Sequence, residues 1–203
     1  MTAKRVEREV TSQLAQTLVG TGFREKNNDL LAQRLRDGEA QIRCAVRKDK
    51  GFGTMWVTLM LGVRFDEVET LLGRTDPDRP TLGTPIYSLH HDGKLMEWDT
   101  DSRLTLYQLA DQVKTYAIPF FERFCRLDAV FEALRSENPA NWFWLGTEGR
   151  IQTLAAIMTL RGDKDSALAL LEREILAKGG SSRPPDRAMR LRLQSLRERL
   201  AKC

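Results

Sequence analysis

The dipeptide Asp37-Gly38 separates two segments, 30–36 and 39–47, in which apolar and polar residues alternate. Alternation with a period of two is typical of a half-buried β-strand. Asp-Gly between two such segments indicates a tight β-hairpin, because both central residues of the favoured turn take positive φ. If these two residues form the turn, the expected cross-strand pairs are Arg36 with Glu39, Arg34 with Gln41 and Ala32 with Arg43.

The expected register separates charged side chains from apolar ones. Residues that lie opposite each other in an antiparallel pair share one face of the sheet. One face of this hairpin is therefore expected to carry four arginines: Arg34, Arg36, Arg43 and Arg47. The other face is expected to be apolar: Leu31, Leu35, Ala40, Ile42, Cys44 and Val46. Such segregation predicts a sheet with one buried and one solvated face.

Further strands are expected after the hairpin. The apolar segment 54–63 predicts a central strand that brings Trp56 beside the arginines. A short helix is expected from Asp66 to Leu72. The segments 85–91 and 94–98 flank Asp92-Gly93 and predict a second hairpin.

Helical periodicity is found at both ends of the chain. Apolar residues recur every four positions within 2–20, and the chain is expected to be largely helical after residue 102. Pro119 is expected to kink or split the first of these later helices near Tyr116. Further helices are expected over 128–135, 147–161, 164–178 and 186–202. The sequence thus predicts an α+β fold: an antiparallel sheet of four or five strands, helices packed on one face, and a C-terminal helical extension.

The positive charge is concentrated at the C-terminus. The 203-residue chain has a net charge of +4, and residues 181–203 contain seven cations and two anions, so the remainder is slightly negative. The last helix places Met189, Leu193, Leu196 and Leu200 on one stripe with arginines around it. We expect two domains, an α+β sheet domain over 1–145 and a helical segment over 146–203.

Composition excludes several classes of protein. No run of about 18 apolar residues is present, so no membrane span is expected, and the charged N-terminus favours the cytoplasm. The three cysteines are far apart and do not form a zinc or redox motif. His90 and His91 are adjacent, so on a strand they would point to opposite faces. We expect no metal and no cofactor, and the sequence contains no motif of a catalytic nucleophile.

Several segments together are suggestive of a family. They are LVGTGFREKNNDLLAQRL at 18–35, the alternating hairpin, VTLMLGV at 57–63, IPFFERF at 118–124 and RGDKDSALALLERE at 161–174. In this order they resemble a bacterial family catalogued as domain of unknown function 4304, over about residues 10–175. The resemblance implies an α+β domain without an established activity and supplies no catalytic residues.

These observations favour a non-catalytic binding or interaction protein of bacterial origin with a protein partner. Immunity proteins and accessory proteins of toxin systems are often small α+β domains, which is an analogy only. Two alternatives stay open: a nucleic-acid-associated protein that uses the arginine-rich tail, and an enzyme whose site cannot be recognised in the sequence. The candidate binding residues are Arg34, Arg36, Arg43, Arg47, Trp56, Arg190 and Arg197.

Overall fold

The structure is a computed structural model that describes residues 2–48, 55–89, 96–98, 102–136 and 145–203, with only the backbone at 96–98 and 102–104. It has the predicted α+β fold. Contacts divide the chain into two compact units, one of Met1–Arg64 with Leu82–Arg126 and one of Phe65–Thr81 with Leu127–Cys203. The sequence predicts two domains that meet at residue 145, and this division into domains stays a prediction.

The first unit contains an antiparallel sheet whose strands follow one another in chain order. The strands are β1 (Arg24–Asn27), β2 (Leu30–Arg34), β3 (Glu39–Lys48), β4 (Met55–Arg64) and β5 (Leu82–Pro85). A short strand β6 (Met96–Trp98) pairs with the other end of β4. Within the described order β1 is an edge strand, and its pairing with β2 is irregular between Glu25 and Asn27.

The first hairpin forms, but its turn lies one residue earlier than expected. Leu35 donates its N–H to the carbonyl of Gly38 at 2.9 Å, so Arg36 and Asp37 form the two-residue loop. The predicted cross-strand pairs were therefore wrong; the observed ones are Arg34 with Glu39, Ala32 with Gln41 and Leu30 with Arg43. Each residue keeps its predicted face because partners shift by two positions, an even number. Arg36 leaves the ladder for the loop.

The predicted second hairpin is also wrong in the described residues. The strand that was expected over 85–91 ends at Pro85, and a 3-10 turn follows at Ile86–Leu89. Proline has no N–H to continue a ladder, which accounts for the end of β5. Both β5 and β6 pair with β4 rather than with each other. Asp92-Gly93 lies outside the described residues.

Helices of the first unit pack against the apolar side of the sheet. Helix α1 (Ala3–Thr17) lies on β3 and buries Val6, Val10 and Leu14. Helix α3 (Ser102–Gln112) continues through a π-helical turn at Val113–Ala117 into α4 (Ile118–Phe124). That turn directly precedes Pro119, which cannot donate an intrahelical hydrogen bond, so the predicted disruption near Tyr116 is confirmed.

The second unit is helical. It comprises α2 (Asp66–Leu71), α5 (Leu127–Arg135), α6 (Gly146–Leu160), α7 (Lys164–Ala177) and α8 (Pro184–Lys202). Between α6 and α7, Gly162 takes φ of 83° and the carboxylate of Asp163 accepts the N–H of Ser166 at 3.4 Å, which caps α7. Within the parts of the chain that the structure describes, no helix is long and apolar enough to cross a membrane.

The apolar residues of the basic C-terminal helix belong to the core of the second unit. This core consists of Ile151, Ala155, Ala167, Leu171, Met189, Leu193, Leu196 and Leu200. The apolar stripe of α8 therefore packs on helices of the same chain. Small side chains at Ala155 and Ala167, both fully buried, allow α6 and α7 to approach closely.

Candidate anion-binding pocket

The predicted arginine face of the sheet is only partly assembled. Arg34 is exposed at the end of β2, and Arg36 lies in the loop at 3.9 Å from Asp37. The guanidinium Nε of Arg43 lies 3.7 Å from the Oδ2 of Asp29, at the edge of ion-pair range. The face therefore carries acidic groups among its arginines and is not a uniformly cationic plane.

One predicted juxtaposition on this face is present. Arg47 on β3 lies directly opposite Trp56 on β4, so both residues belong to the same face. Arg47 is exposed and Trp56 is half-buried. The register places Glu97 of β6 opposite Trp56 on its other side. This face thus ends in a small arginine-tryptophan patch.

The two candidate arginines of the tail are bound to groups of their own unit. Nη1 of Arg190 donates to the carbonyl of Gly179 at 3.1 Å. Nη2 of Arg197 lies 2.7 Å from Oε2 of Glu172 on α7. Both arginines thus have partners within the protein, and their role as candidate binding residues stays a prediction.

The second unit contains a pocket of about 480 Å³ that the sequence did not indicate. It is formed by the loop after α2, the first turns of α6 and the C-terminal half of α8. We call it the arginine pocket; its lining residues are Leu72, Arg74, Arg79, Leu145, Glu148, Gly149, Gln152, Arg192, Ser195, Leu196 and Arg199. Four guanidinium groups and one carboxylate give this lining a formal charge of +3.

Arg74 is the most buried cation of the pocket, with 14% of its side chain exposed. Its Nη1 lies 3.5 Å from Oε1 of Glu69, and its Nη2 donates to Oε1 of Gln152 at 3.3 Å. Both distances are long for charge-assisted hydrogen bonds. Burial lowers the pKa of Arg74, and the positive charge of Arg79 acts in the same direction, while Glu69 opposes both.

Glu69, the ion-pair partner of Arg74, is fully buried. Its second carboxylate oxygen, Oε2, has no hydrogen-bond partner among the residues that the structure describes. A buried polar atom without a partner costs free energy. The pair of Arg74 and Glu69 is therefore incompletely satisfied by the protein's own groups.

The carboxylate of Glu148 is held firmly by an arginine of α8. Nε of Arg192 donates to Oε1 at 2.5 Å, and Nη2 of Arg192 donates to Oε2 at 2.7 Å. These hydrogen bonds lower the pKa of Glu148 and raise the pKa of Arg192. Glu148 is therefore ionised at neutral pH, and one of the four cations is already compensated.

Arg199 lies over a glycine. Its Nη1 donates to the carbonyl of Leu71 at 3.2 Å. Gly73 has φ of 67°, and a Cβ atom there would overlap the Arg199 guanidinium. Glycine at position 73 thus serves both the left-handed backbone and the space that Arg199 occupies.

Sequence reasoning missed these residues for different reasons. Arg74 and Arg79 lie in a segment that reads only as a turn-rich loop. On α8, however, Arg192, Ser195 and Arg199 recur at three, four and seven positions, which places them on one face of a helix. That spacing was the available signal for two of the four arginines of the pocket.

The comparisons with known proteins give no match. No protein-family model, no curated protein and no solved structure matches this chain. In the described residues, no group of three or more histidine, cysteine or acidic side chains could hold a metal ion. The interpretation of the arginine pocket therefore depends on the residues that line it.

Proposed function

We propose that this protein is a non-catalytic binding protein that holds an anionic group in the arginine pocket. The observation that carries the proposal is Arg74, a largely buried guanidinium whose two polar contacts are both long. A planar guanidinium presents several donors that match the oxygens of carboxylates and phosphates. An incoming anion would supply short, charge-assisted hydrogen bonds that Glu69 and Gln152 do not supply.

The state of Glu148 supports binding rather than catalysis. General acid–base catalysis works best when the pKa of the group lies near the operating pH. Glu148 is the one carboxylate in the described lining, and Arg192 lowers its pKa below the ordinary value of 4.5. A carboxylate held in this way neutralises charge and positions an arginine.

The test is ligand-dependent stabilisation at low salt, with sulfate and citrate as anionic probes. A ligand that binds only the folded state stabilises it by about 2.7 kcal/mol at 100 times its dissociation constant. We expect both probes to raise the melting temperature of the wild type, and the rise to shrink in Arg199→Gln.

The matched control is Arg187→Gln, which removes an exposed arginine of the same helix outside the pocket. Equal stabilisation of wild type, Arg199→Gln and Arg187→Gln would show that the anions do not bind in the pocket. Circular dichroism of each variant confirms that it is folded.

A second candidate function is the docking of an acidic protein segment on the sheet, favoured by the pairing of Arg47 with Trp56. Arginine beside a tryptophan suits a carboxylate-rich segment, because the cation binds the acid while the ring supplies apolar area. We expect a poly-glutamate peptide to bind the wild type more tightly than Arg47→Glu. Binding that falls equally in Lys4→Glu, on the exposed side of α1, would refute a specific patch.

The nucleic-acid alternative draws less support from the tail. Its arginines at 183, 192 and 197 are paired with Asp186, Glu148 and Glu172. Nucleic-acid affinity grows with the number of cations that contact phosphates, and these pairs reduce that number.

Two further statements belong to this proposal: placement in the bacterial cytoplasm, and the resemblance to the family of unknown function. They are tested by identifying the native ligand or partner.

A further inference from the structure

We propose a second binding surface, a pocket in the first unit that holds an extended peptide segment of a protein partner. The segment has one carboxylate and one apolar side chain. The proposal goes beyond the arginine pocket and does not depend on it. It is based on three properties of the new pocket: its two arginines, its uncharged polar wall and its exposed aromatic ring.

The new pocket lies between the first helix and the start of α3, and we call it the α1 pocket. Its volume is about 780 Å³. Seven residues of α1, from Arg5 to Thr17, line one side, and Leu106 and Tyr107 of α3 line the other. The seven recur at three and four positions, so they share one face of the helix. That face is about 18 Å long, which is about the length of five or six residues of extended chain.

The two arginines of the α1 pocket have no ionic partner in the protein. Arg5 and Arg8 are exposed, and neither guanidinium forms an ion pair or a hydrogen bond with another described residue. Glu9 is the carboxylate of the described lining, so two cations and one anion leave a net charge of +1. One carboxylate of a ligand balances this charge and can accept hydrogen bonds from both guanidinium groups. Further carboxylates would be repelled by Glu9.

The rest of the α1 face is polar but uncharged. Ser12, Gln13 and Gln16 belong to it. Glutamine amides and serine hydroxyls both donate and accept hydrogen bonds. Each peptide unit of a ligand also offers a donor and an acceptor, so a peptide backbone matches this wall. Two cations are few for a nucleic acid, whose affinity grows with the number of phosphates that are neutralised.

Tyr107 gives the α1 pocket an exposed aromatic surface. It is 71% exposed, whereas the adjacent Leu106 is 8% exposed. Tyrosine and arginine are enriched among the residues that dominate binding energy at protein interfaces. An apolar side chain that packs on this ring would remove apolar area of both groups from water. The pocket thus combines a site for one carboxylate with a site for one apolar side chain.

The experiment is NMR titration of the full chain with a set of capped hexapeptides. Each peptide contains one glutamate, one phenylalanine and otherwise serine, and the set covers every spacing of the two residues. We expect at least one peptide to bind and to shift the ring signals of Tyr107. In that peptide, replacing glutamate by glutamine, or phenylalanine by alanine, should weaken binding by about fivefold or more.

Variants of the protein test the same contacts from the other side. Arg8→Gln and Tyr107→Ala should each weaken binding of that peptide by about fivefold or more. Both side chains are exposed, so the variants should stay folded, which circular dichroism checks. Glu9→Gln should bind a peptide with two glutamates more tightly than the wild type does. The control is Arg47→Gln, an exposed arginine of the sheet face, which should leave binding unchanged.

Three results would overturn the proposal. One is that no peptide of the set binds, and another is that Arg47→Gln weakens binding as much as Arg8→Gln does. The third is that a single strand of six thymidines binds more tightly than every peptide and loses its affinity in Arg8→Gln, because the pocket would then take a nucleic acid. None of these results bears on the arginine pocket, whose test uses sulfate and citrate with Arg199→Gln.

Discussion

Two nitrogens of Arg192 donate hydrogen bonds to the two carboxylate oxygens of Glu148, at 2.5 Å and 2.7 Å. The two residues are 44 positions apart in the sequence. This contact joins the last helix to the start of α6 at the rim of the arginine pocket. It also means that one of the pocket's cations is occupied by an anion of the protein itself. The binding proposal depends on a different cation, the largely buried Arg74, whose two polar contacts are both long.

Removing Arg192 should raise the pKa of Glu148. In Arg192→Gln, the hydrogen bonds that stabilise the carboxylate are lost, so its pKa should rise toward 4.5, the ordinary value. A lowered folded-state pKa contributes stability above the unfolded pKa and loses it as the pH falls through the folded pKa. Unfolding free energy should therefore depend less steeply on pH below about pH 5 in the variant.

The measurement is NMR titration of Glu148 together with urea unfolding at pH 7 and pH 3. Arg187→Gln, which removes a charge from the same helix, is the control. An unchanged Glu148 titration in Arg192→Gln would contradict the role that we assign to this contact.

Arg74 and Glu69 should depend on each other for stability. Arg74→Met leaves the fully buried Glu69 without its cation, and we expect a loss of roughly 3 kcal/mol in unfolding free energy, the lower end for a broken buried pair. Adding Glu69→Leu should recover part of that loss, because no uncompensated charge stays buried. Urea unfolding of the double-mutant cycle measures the coupling.

Arg173→Met is the matched comparison for that cycle. Its partner Glu174 is adjacent in sequence and 71% of the Arg173 side chain is exposed, so its removal should have little effect. If Arg74→Met lowered the unfolding free energy no more than Arg173→Met does, the buried pair would not stabilise the fold.

Gly73→Ala should disturb both the backbone and Arg199. A non-glycine residue in the left-handed region costs about 1–2 kcal/mol, and the new methyl group would displace the guanidinium. We therefore expect lower stability and weaker binding of the anionic probes. Gly180→Ala is the control, because nothing lies within 4 Å of a Cβ atom there; equal effects of the two changes would contradict the packing described.

Leu193 and Leu191 provide a matched test of how α8 is held. Leu193 is fully buried in the helical core, whereas Leu191 is 56% exposed two positions away. Leu193→Ala should lower the unfolding free energy by about 3 kcal/mol, and Leu191→Ala should change it by less than about 0.5 kcal/mol. Similar unfolding midpoints for the two variants in urea would mean that α8 does not dock through its leucine stripe.

Local patterns predicted the elements that depend on local chemistry. The disruption before Pro119 and the break at Gly162-Asp163 follow from a missing donor and a left-handed glycine, so both could be read from neighbouring residues. The fold class followed from alternating and helical periods. What local chemistry left open was the exact register of the first hairpin.

The strand that follows this turn has a second partner. β3 pairs with β4 along its whole length, from Glu39 opposite Arg64 to Lys48 opposite Met55. In the observed register Arg36 and Asp37 occupy the loop, so the preference of Asp37-Gly38 for the central turn positions does not decide the pairing. The arginine pocket was beyond local patterns for a related reason: Arg74 and Arg199 are far apart in the chain and meet only through tertiary packing.

The irregular strand β1 has a consequence for how the molecule behaves at high concentration. Its exposed side chains Arg24, Glu25 and Lys26 are all charged, and its pairing with β2 is interrupted before Asn27. A strand from a neighbouring molecule would have to desolvate those charges and match a distorted backbone before it could extend the sheet. This edge of the sheet thus opposes aggregation in which a strand of another molecule pairs with β1.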